Sequence, residues 1–271
     1  MKIGFFDSGL GGLTVLKEAL ENEGLSEEIY YLADTKNTPY GIKDEEFVKK
    51  VIYDNIEYLI KIGCNPIVIA CNTATSLCIN EFRENYNDIV FIGTEPAVKV
   101  AADSNMSKKI LVLATSITVR REKLLNLIDK LNIKDNVELL AADELVTFAE
   151  NINCNNMKNE INNYIESILS QFNMSEFSHI VLGCTHFPIF RDNFYNVINK
   201  INPNLDIKVI DGAKGISNNL INYINKIKGN KKYVQGTKKI TIVLTSKNND
   251  FIVRTKQILA NDKIEVDYKL Q

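Results

Sequence analysis

The sequence predicts an α/β protein built from two similar lobes, each a mainly parallel sheet flanked by helices. Three observations favour this fold. Short apolar runs rich in Val and Ile alternate with longer segments of helical periodicity, which is the pattern of parallel strands joined by crossover helices. Most of these runs are apolar throughout, as expected when helices cover both faces of a sheet. A strand followed by a cysteine and polar side chains occurs twice, at Cys71 and Cys184.

The apolar runs predict the strands, and the period of the longer segments predicts the helices. The predicted strands are KIGFF (2–6), EIYYLA (28–33), PIVIAC (66–71), IVFIG (89–93), KILVLAT (109–115), VELLAA (137–142), HIVLGC (179–184), IKVID (207–211), KITIVLT (239–245) and KIEVDY (263–268). The predicted helices include 43–63, 119–132, 157–173, 190–202 and 213–227. In 119–132 the side chains that mark one apolar face are Leu124, Leu125, Leu127, Ile128 and Leu131.

An internal similarity predicts how the chain divides. An early strand in each half ends in a polar turn, FFDSG at 5–9 and LATSIT at 113–118, and a later strand ends in cysteine. We therefore expect a first lobe of residues 1–95 and 211–271 and a second lobe of residues 96–210. The boundary between them is expected near TEP at 94–96.

Composition and charge narrow the classes of function. With 45% apolar and 24% charged residues, the chain is neither disordered, collagen-like nor a disulfide-rich miniprotein. The net charge is −2 and Lys and Arg are spread along the chain, so no basic face for nucleic acid or an anionic membrane is expected. The expected partner is a small molecule.

The sequence also predicts a cytoplasmic location. No apolar stretch reaches the roughly 18 residues of a transmembrane helix, and the N-terminus passes into a strand without a signal-peptide pattern. Five cysteines, an odd number without framework spacing, favour free thiols in a reducing compartment.

Chemically active side chains follow several predicted strands. In a parallel α/β sheet, ligands bind outside the carboxyl ends of the strands. The side chains at such ends are Asp7, Ser8, Asp34, Cys71, Asn72, Thr73, Cys184, Thr185 and His186. Reactive thiols need a polar setting, which Cys71 and Cys184 have. In contrast, Cys64, Cys78 and Cys154 do not close an apolar strand with a hydroxyl or amide pair and are expected to be structural.

Some of these features also have plain structural interpretations. His179 stands at the very start of its predicted strand and is expected at the surface, so His186 is the better candidate to polarise a thiol. Asp7 either caps the next helix or takes part in chemistry. The glycines of SGLGG do not form a dinucleotide fingerprint and are expected to let backbone N–H groups approach a small anion. NTPYG at 37–41 is also explained as a turn.

Two thiols on facing lobes suit one kind of reaction. A planar carbanion beside a carboxylate accepts a proton on either face, so interconverting mirror-image amino acids requires proton-transfer groups on both sides. One thiol must be ionised while the other is protonated. An unperturbed thiol titrates near about 8.5, so a neighbouring Asp or His is needed near neutral pH. Asp7 and His186 are placed for this duty.

At these residues the sequence resembles the glutamate racemases of the cofactor-independent aspartate/glutamate racemase superfamily. The shared stretches are FFDSGLGGLTV (5–15), ADTKNTPYG (33–41), IACNTATS (69–76), GTEP (93–96) and LGCTHFP (182–188). The resemblance implies an active site in the cleft between two pseudo-symmetric α/β lobes. It also implies interconversion of L- and D-glutamate without pyridoxal phosphate or any other cofactor and without metal, supply of D-glutamate for peptidoglycan, and a homodimer.

The resemblance also implies roles for individual residues. Cys71 would serve the D-enantiomer with help from Asp7, and Cys184 would serve the L-enantiomer with help from His186. The residues that resemble the family's substrate contacts are Asp7, Ser8, Tyr40, Gly41, Asn72, Thr73, Thr185 and His186. Glu150 falls where the family often places a further acidic residue, within a segment, ADELVTFAE, that departs from the family pattern.

Two further departures bear on affinity and on regulatory or subunit contacts. Residues 114–125, ATSITVRREKLL, lack the serine and the aromatic residue that many members carry, and Phe187 replaces a more usual tyrosine.

Other functions stay open from the residues alone. An aspartate racemase or a broader acidic amino-acid racemase would use the same two thiols. A Cys-His acyl-transfer enzyme would use one cysteine as nucleophile and His186 as base, and would leave Cys71 dispensable. A zinc or redox site is disfavoured because no CxxC occurs and the chain has only two histidines. A binding protein without catalysis would bind glutamate and leave its α-hydrogen in place.

Overall fold

The computed structural model describes residues 1–21, 25, 28–94, 96–104, 107–151, 156–228, 238–259 and 264–271. They form two parallel sheets flanked by helices, which confirms the predicted fold class. The strands are β1 (Lys2–Asp7), β2 (Glu28–Ala33), β3 (Cys64–Ile69), β4 (Phe91–Gly93), β5 (Lys109–Ala114), β6 (Val137–Ala141), β7 (Phe177–Leu182), β8 (Lys208–Asp211), β9 (Lys238–Leu244) and β10 (Ile264–Leu270). All ten predicted strands are confirmed, with ends that differ by at most two residues.

The strands are divided between the sheets by chain segment. Strands β1 to β4, β9 and β10 form a six-stranded sheet in the order β10-β9-β2-β1-β3-β4. Strands β5 to β8 form a four-stranded sheet in the order β6-β5-β7-β8. We call each sheet with its helices the first and the second lobe, respectively. The limits 1–95 with 211–271 and 96–210 stay a prediction.

Helices follow the strands. They are α1 (Gly12–Glu21), α2 (Glu45–Lys61), α3 (Asn72–Asn85), α4 (Val98–Ser104), α5 (Ser116–Arg120), α6 (Glu122–Lys130), α7 (Glu144–Glu150), α8 (Lys158–Leu169), α9 (Arg191–Ile201), α10 (Ala213–Lys228) and α11 (Asn249–Ile258). Four of the five predicted helices are confirmed as α2, α8, α9 and α10.

The predicted single helix over 119–132 is wrong. The segment forms α5 and α6, separated by Arg121 in an extended conformation (φ −82°, ψ 136°). Thr115 starts α5 early by accepting a hydrogen bond from the Thr118 N–H, and the Arg121 guanidinium reaches Glu45 of the first lobe at 2.8 Å. Leu124 is buried on the expected face, but Leu125 is 39% exposed.

Each sheet is covered on both faces, as the apolar strands predict. Successive side chains of a strand point to opposite faces. Thus Phe5 and Tyr31 belong to one core of the first lobe, and Phe6 and Leu32 belong to the other. The second lobe also has two cores. Among the described residues, no helix is both long enough and apolar enough to cross a bilayer.

Candidate active site

The carboxyl edges of the two sheets face each other. The Thr185 hydroxyl, beyond β7, donates to Asp7 Oδ2 at the end of β1, at 3.0 Å. The hydroxyls of Thr73 and Thr115 lie 3.0 Å apart, one from each lobe. The strand-end rule therefore brings together residues that lie far apart in the chain.

The prediction that Cys71 ends a strand is wrong. Cys71 lies two residues beyond β3 and caps α3. Its sulfur accepts a hydrogen bond from the Ala74 N–H at 3.4 Å, and its thiol donates to Ser8 Oγ at 3.9 Å. Burial and then the negative charge of Asp7 raise the pKa of this thiol well above its ordinary value. The raised pKa favours the protonated thiol of Cys71. A negative charge on Cys184 would raise the pKa of Cys71 further, so simultaneous ionisation of both thiols is disfavoured.

Cys184 lies beyond β7 in the second lobe and has a different partner. Its sulfur is 3.7 Å from Nδ1 of His186, and Nε2 of the same ring is 2.6 Å from Glu150 Oε1. Burial lowers the pKa of His186, but the hydrogen bonds to Cys184 and Glu150 and the charges of both groups raise it more, and the net pKa lies well above the ordinary value. Cys184, His186 and Glu150 thus form a line of proton-carrying groups.

Glu150 also links the two lobes. Its Oε1 accepts the Leu10 N–H at 2.8 Å, from the SGLGG loop of the first lobe. The anion that approaches this loop is therefore a side chain of the protein itself. A Cβ atom added at Gly9 would lie 2.0 Å from the same oxygen, so a larger residue there would displace the Glu150 carboxylate.

Asp7 binds the start of the first helix and also contacts the second lobe. Its carboxylate accepts the Gly9 N–H at 2.9 Å and the Gly12 N–H at the start of α1, which is the role of a helix cap. It also accepts the Thr185 hydroxyl across the cleft. Burial raises the pKa of Asp7 although the charge of His186 and these hydrogen bonds oppose the shift.

The other predicted substrate contacts surround this centre to different degrees. Ser8 is buried beside Cys71, and Thr73 is buried against Thr115 of the second lobe. Asn72 lines, with Cys184 and Thr185, a cavity of about 10 Å³ between the lobes. Such a cavity holds about one water molecule.

Tyr40 and Gly41 lie at the edge of the same region. The Tyr40 hydroxyl donates to Asp34 Oδ2 at 2.6 Å, so it is already occupied. Gly41 packs against the second lobe, because an added Cβ would lie 2.4 Å from Asp143 Oδ1 and 2.9 Å from Thr115 Cβ.

Comparison with known proteins identifies the family. The sequence profile of the Asp/Glu/hydantoin racemases matches residues 13–216. The chain belongs to this family. As a member of the Asp/Glu/hydantoin racemase family, it is an amino-acid racemase, an enzyme of the isomerase class.

Similar proteins cover most of the chain. A glutamate racemase of Halothermothrix orenii is 46% identical over 224 residues, 83% of this chain and 85% of that protein. A glutamate racemase of Clostridium novyi is 38% identical over 260 residues, 96% of this chain and 97% of that protein. The fold is that of the glutamate racemase isoform RacE1 from Bacillus anthracis (TM-score 0.83, 23% identity, 99% and 96% of the two chains). It is also that of the Francisella tularensis glutamate racemase crystallised with D-glutamate (TM-score 0.77, 24% identity, 100% and 97%).

Several residues of this family member reach the cleft without having been predicted. Thr115 directly follows β5 and is detectable by the strand-end rule, whereas Thr14 of α1, whose hydroxyl reaches the Thr185 carbonyl at 3.2 Å, carries no such signal. Thr38 Oγ1 is the only fully buried side-chain oxygen or nitrogen among the described residues that has no hydrogen-bond partner. It lies 3.2 Å from the position of a Cβ at Gly9, on the wall of the cleft.

The predicted surface position of His179 is wrong. β7 begins at Phe177, two residues earlier than predicted, so His179 lies inside a covered strand and is 3% exposed. Its ring nitrogens are 3.0 Å from Ser104 Oγ and 2.9 Å from Ser178 Oγ, and burial, followed by the charge of Lys208, lowers its pKa.

The remaining residues singled out from the sequence lie in the cores. Cys64 and Cys78 are fully buried, and burial raises the pKa of each to about 12. Phe187 is buried in the second lobe with other apolar side chains. Cys154 and Glu95, which belongs to GTEP, lie outside the described residues.

Proposed function

We propose that the protein is a glutamate racemase that moves the α-proton of glutamate between two thiols and supplies D-glutamate for peptidoglycan synthesis. One observation carries the proposal. Cys71 and Cys184 stand at the facing edges of different sheets, and each has its own proton-handling neighbour, Asp7 or His186. Relatives named glutamate racemase, at 38–46% identity, support the choice of glutamate.

The reaction from L-glutamate begins with Cys71 as thiol and Cys184 as thiolate. Cys184 takes the α-proton, and the electron pair of the broken C–H bond delocalises into the adjacent carboxylate. Cys71 then gives its proton to the opposite face of the planar carbon, which yields D-glutamate. The enzyme is left with protonated Cys184 and ionised Cys71, which is the form that accepts D-glutamate. The raised pKa of Cys71 favours the form that accepts L-glutamate.

Asp7 and His186 adjust the basicity of the two sulfurs. An ionised Asp7 raises the pKa of Cys71 and makes its thiolate a stronger base. A protonated His186 beside Cys184 offsets the charge of that thiolate and is itself held by Glu150. The different signs of these neighbours match the different starting states of the thiols.

Neutral groups hold the substrate in this proposal. Hydroxyls and amides of Ser8, Asn72, Thr73 and Thr185 and the backbone of Gly41 donate to the two carboxylates. The unpartnered hydroxyl of Thr38 adds one further donor, which the substrate would satisfy. The cavity beside Asn72, Cys184 and Thr185 has room for about one water molecule, so we infer that the lobes move apart to admit glutamate.

A solvent-exchange experiment tests the proposal. The purified protein is incubated with L-glutamate in D₂O without added cofactor, and optical rotation and α-deuterium are followed together. We expect loss of rotation with deuterium incorporation. Deuterium incorporation without loss of optical rotation, or glutamate binding without deuterium incorporation, contradicts racemisation. A parallel incubation with aspartate decides whether the enzyme also accepts aspartate.

Cysteine variants test the mechanism separately. Cys71→Ala and Cys184→Ala are each expected to abolish racemisation, because one face of the carbanion then lacks its proton donor. Cys78→Ala, at a buried cysteine of α3 away from the cleft, is the matched control and should remain active. Full activity of Cys71→Ala together with a trapped acyl-enzyme on Cys184 would instead support acyl transfer.

Location and assembly follow from the family resemblance. We propose that the enzyme acts in the cytoplasm and forms a homodimer. Light scattering of the purified protein measures the assembly, and a monomeric mass at working concentration contradicts the dimer.

A further inference from the structure

Arg254 is a buried cation that joins the two lobes. It lies in α11 of the first lobe and is 5% exposed. Its Nη1 donates to the carbonyl of Ala149 and, at 3.0 Å, to the carbonyl of Asn151, both in the second lobe. These two carbonyls flank Glu150, whose carboxylate lies in the cleft.

The partners of this guanidinium are unusual for a buried charge. A buried cation is costly unless its charge and its donors are both met. Among the described residues, no carboxylate lies within ion-pair distance of Arg254, and its guanidinium donates instead to carbonyls at the C-terminal end of α7. The unpaired carbonyls at a helix C-terminus carry partial negative charge, which favours a cation there. The arrangement therefore fixes the chain on both sides of Glu150.

The Glu150 carboxylate has little freedom to move without breaking one of its hydrogen bonds. Its Oε1 accepts from the Leu10 N–H at 2.8 Å and lies 2.6 Å from His186 Nε2. The position of a Cβ at Gly9 lies 2.0 Å from the same oxygen, so the carboxylate is packed closely against the loop. A shift of residues 149–151 by a few tenths of an ångström would lengthen one of these bonds.

We propose that Arg254 is a positioning residue that holds segment 149–151 so that Glu150 stays bonded to His186 and Leu10 when the lobes are closed. Arg254 touches neither the thiols nor the substrate site and acts only through Glu150. The inference rests on the proposed function, in which His186 assists Cys184. It adds a first-lobe residue to the control of the second-lobe base.

The protein offers a readout that does not depend on activity. The chain contains two histidines, His179 and His186, so labelling with ¹⁵N-histidine gives the Nδ1 and Nε2 signals of only two rings. Replacing His186 by Gln assigns them. His186 reports its bond with Glu150 through its titration, and His179, buried in β7 with serine partners, is the internal control.

The variants are Arg254→Met, which removes the donors and keeps an unbranched apolar stem, and Arg254→Lys, which keeps a cation with fewer donors. Each is made alone and together with Glu150→Gln. We expect Arg254→Met to lower the titration midpoint of His186 towards that of Glu150→Gln and to leave His179 unchanged. Its kcat should fall by about 10- to 100-fold, as for other small misplacements of catalytic groups. Arg254→Lys should recover part of both effects.

Combination with Glu150→Gln separates positioning from general stabilisation. If Arg254 acts through Glu150, adding Arg254→Met to Glu150→Gln lowers kcat by less than about 2-fold, because the two residues act as a unit. An unchanged His186 midpoint, or the same loss of kcat with and without Glu150, overturns the inference. If Arg254→Met does not fold, Arg254→Lys is compared in the unmodified protein and in Glu150→Gln, and the same two outcomes overturn the inference. Absence of racemisation in the unmodified enzyme rejects the proposed function, whereas the His186 titration still tests the positioning.

Discussion

Replacing Glu150 by Gln tests the electrostatic core of the site. The substitution keeps the size of the side chain and an oxygen that accepts a hydrogen bond, and it removes the negative charge beside His186. The His186 and Glu150 side chains are 2% and 16% exposed, so water screens this pair little. The expected changes are a less stable protein at mildly acidic pH and a slower reaction.

The geometry sets the size of the effect. With Nε2 and Oε1 2.6 Å apart, the centres of the two charges lie about 4 Å apart, which at an effective dielectric constant of about 20 corresponds to about 4 kcal/mol. This value is an upper bound on the loss, because His186 can give up its proton when the carboxylate is removed. We expect a loss of about 1–3 kcal/mol in the free energy of unfolding at pH 6.

The sign of the pH dependence follows from the raised pKa of His186. A histidine whose pKa is higher in the folded state contributes stability that is fully present below its unfolded pKa of about 6.5. That contribution is lost as the pH rises through the folded pKa. The difference in stability between the unmodified protein and Glu150→Gln should therefore be largest near pH 6 and should shrink towards pH 9.

Thermal unfolding at pH 6 and pH 9 measures this difference. A protein of this size shifts its melting temperature by about 2–4 °C per kcal/mol. Glu166→Gln is the matched control, because Glu166 also lies 2.6 Å from a cation, Lys200, but the two side chains are 36% and 66% exposed. Exposed pairs contribute about 0–1 kcal/mol. An equal loss at both pH values, or an equal loss in the control, refutes the reasoning.

Two further substitutions test other parts of the site. Burial raises the pKa of Asp7. An acid whose pKa is raised on folding loses its contribution to the free energy of unfolding as the pH rises through its folded pKa. The stability of Asp7→Asn relative to the unmodified protein should therefore increase from pH 4 to pH 8. Thermal unfolding checks this, with the exposed helix cap Asp44→Asn as control; a difference that does not change with pH contradicts it. The kcat of Asp7→Asn should fall more from D-glutamate than from L-glutamate, while kcat/KM falls equally because the equilibrium constant of a racemisation is one. Gly11→Ala places a Cβ 2.6 Å from His186 Nδ1 and 2.7 Å from its backbone nitrogen, so it should lower kcat by about 10-fold or more. Gly215→Ala, in a helix with open space around it, should stabilise the protein by about 0.5–1 kcal/mol, and comparable activity of the two alanine variants would contradict the packing argument.

The sequence predicts the strands well because their signal is local. An apolar run that is rich in β-branched residues has little alternative to a covered strand, and the polar residue that ends it marks the carboxyl edge. That rule alone places Asp7, Cys71 and Cys184 in one region. The same local reasoning fails for His179, because a polar residue two positions inside a covered strand is buried whatever its own preference.

The rest of the site depends on how the lobes meet, which no local pattern encodes. Glu150 bonds to Leu10, which lies 140 positions earlier, and its backbone is held by Arg254, more than 100 positions later. The break at Arg121 has a similar origin, since its partner Glu45 belongs to the other lobe. Periodicity describes one element at a time and cannot report such pairs.

The contacts that close the cleft are made by the site residues themselves. Four hydrogen bonds join the lobes here, from Thr185 to Asp7, from Leu10 to Glu150, from Thr14 to the Thr185 carbonyl, and between Thr73 and Thr115. At a net value of about 0.5–1.5 kcal/mol for each neutral bond and about 1.5–3 kcal/mol for each bond to a carboxylate, they contribute about 4–9 kcal/mol to closure. A bound substrate with two carboxylates can replace the bonds that are broken when this edge opens. Because Asp7 and Glu150 each neighbour one of the groups proposed to handle protons, we expect closure and the tuning of the two thiols to take place in the same step.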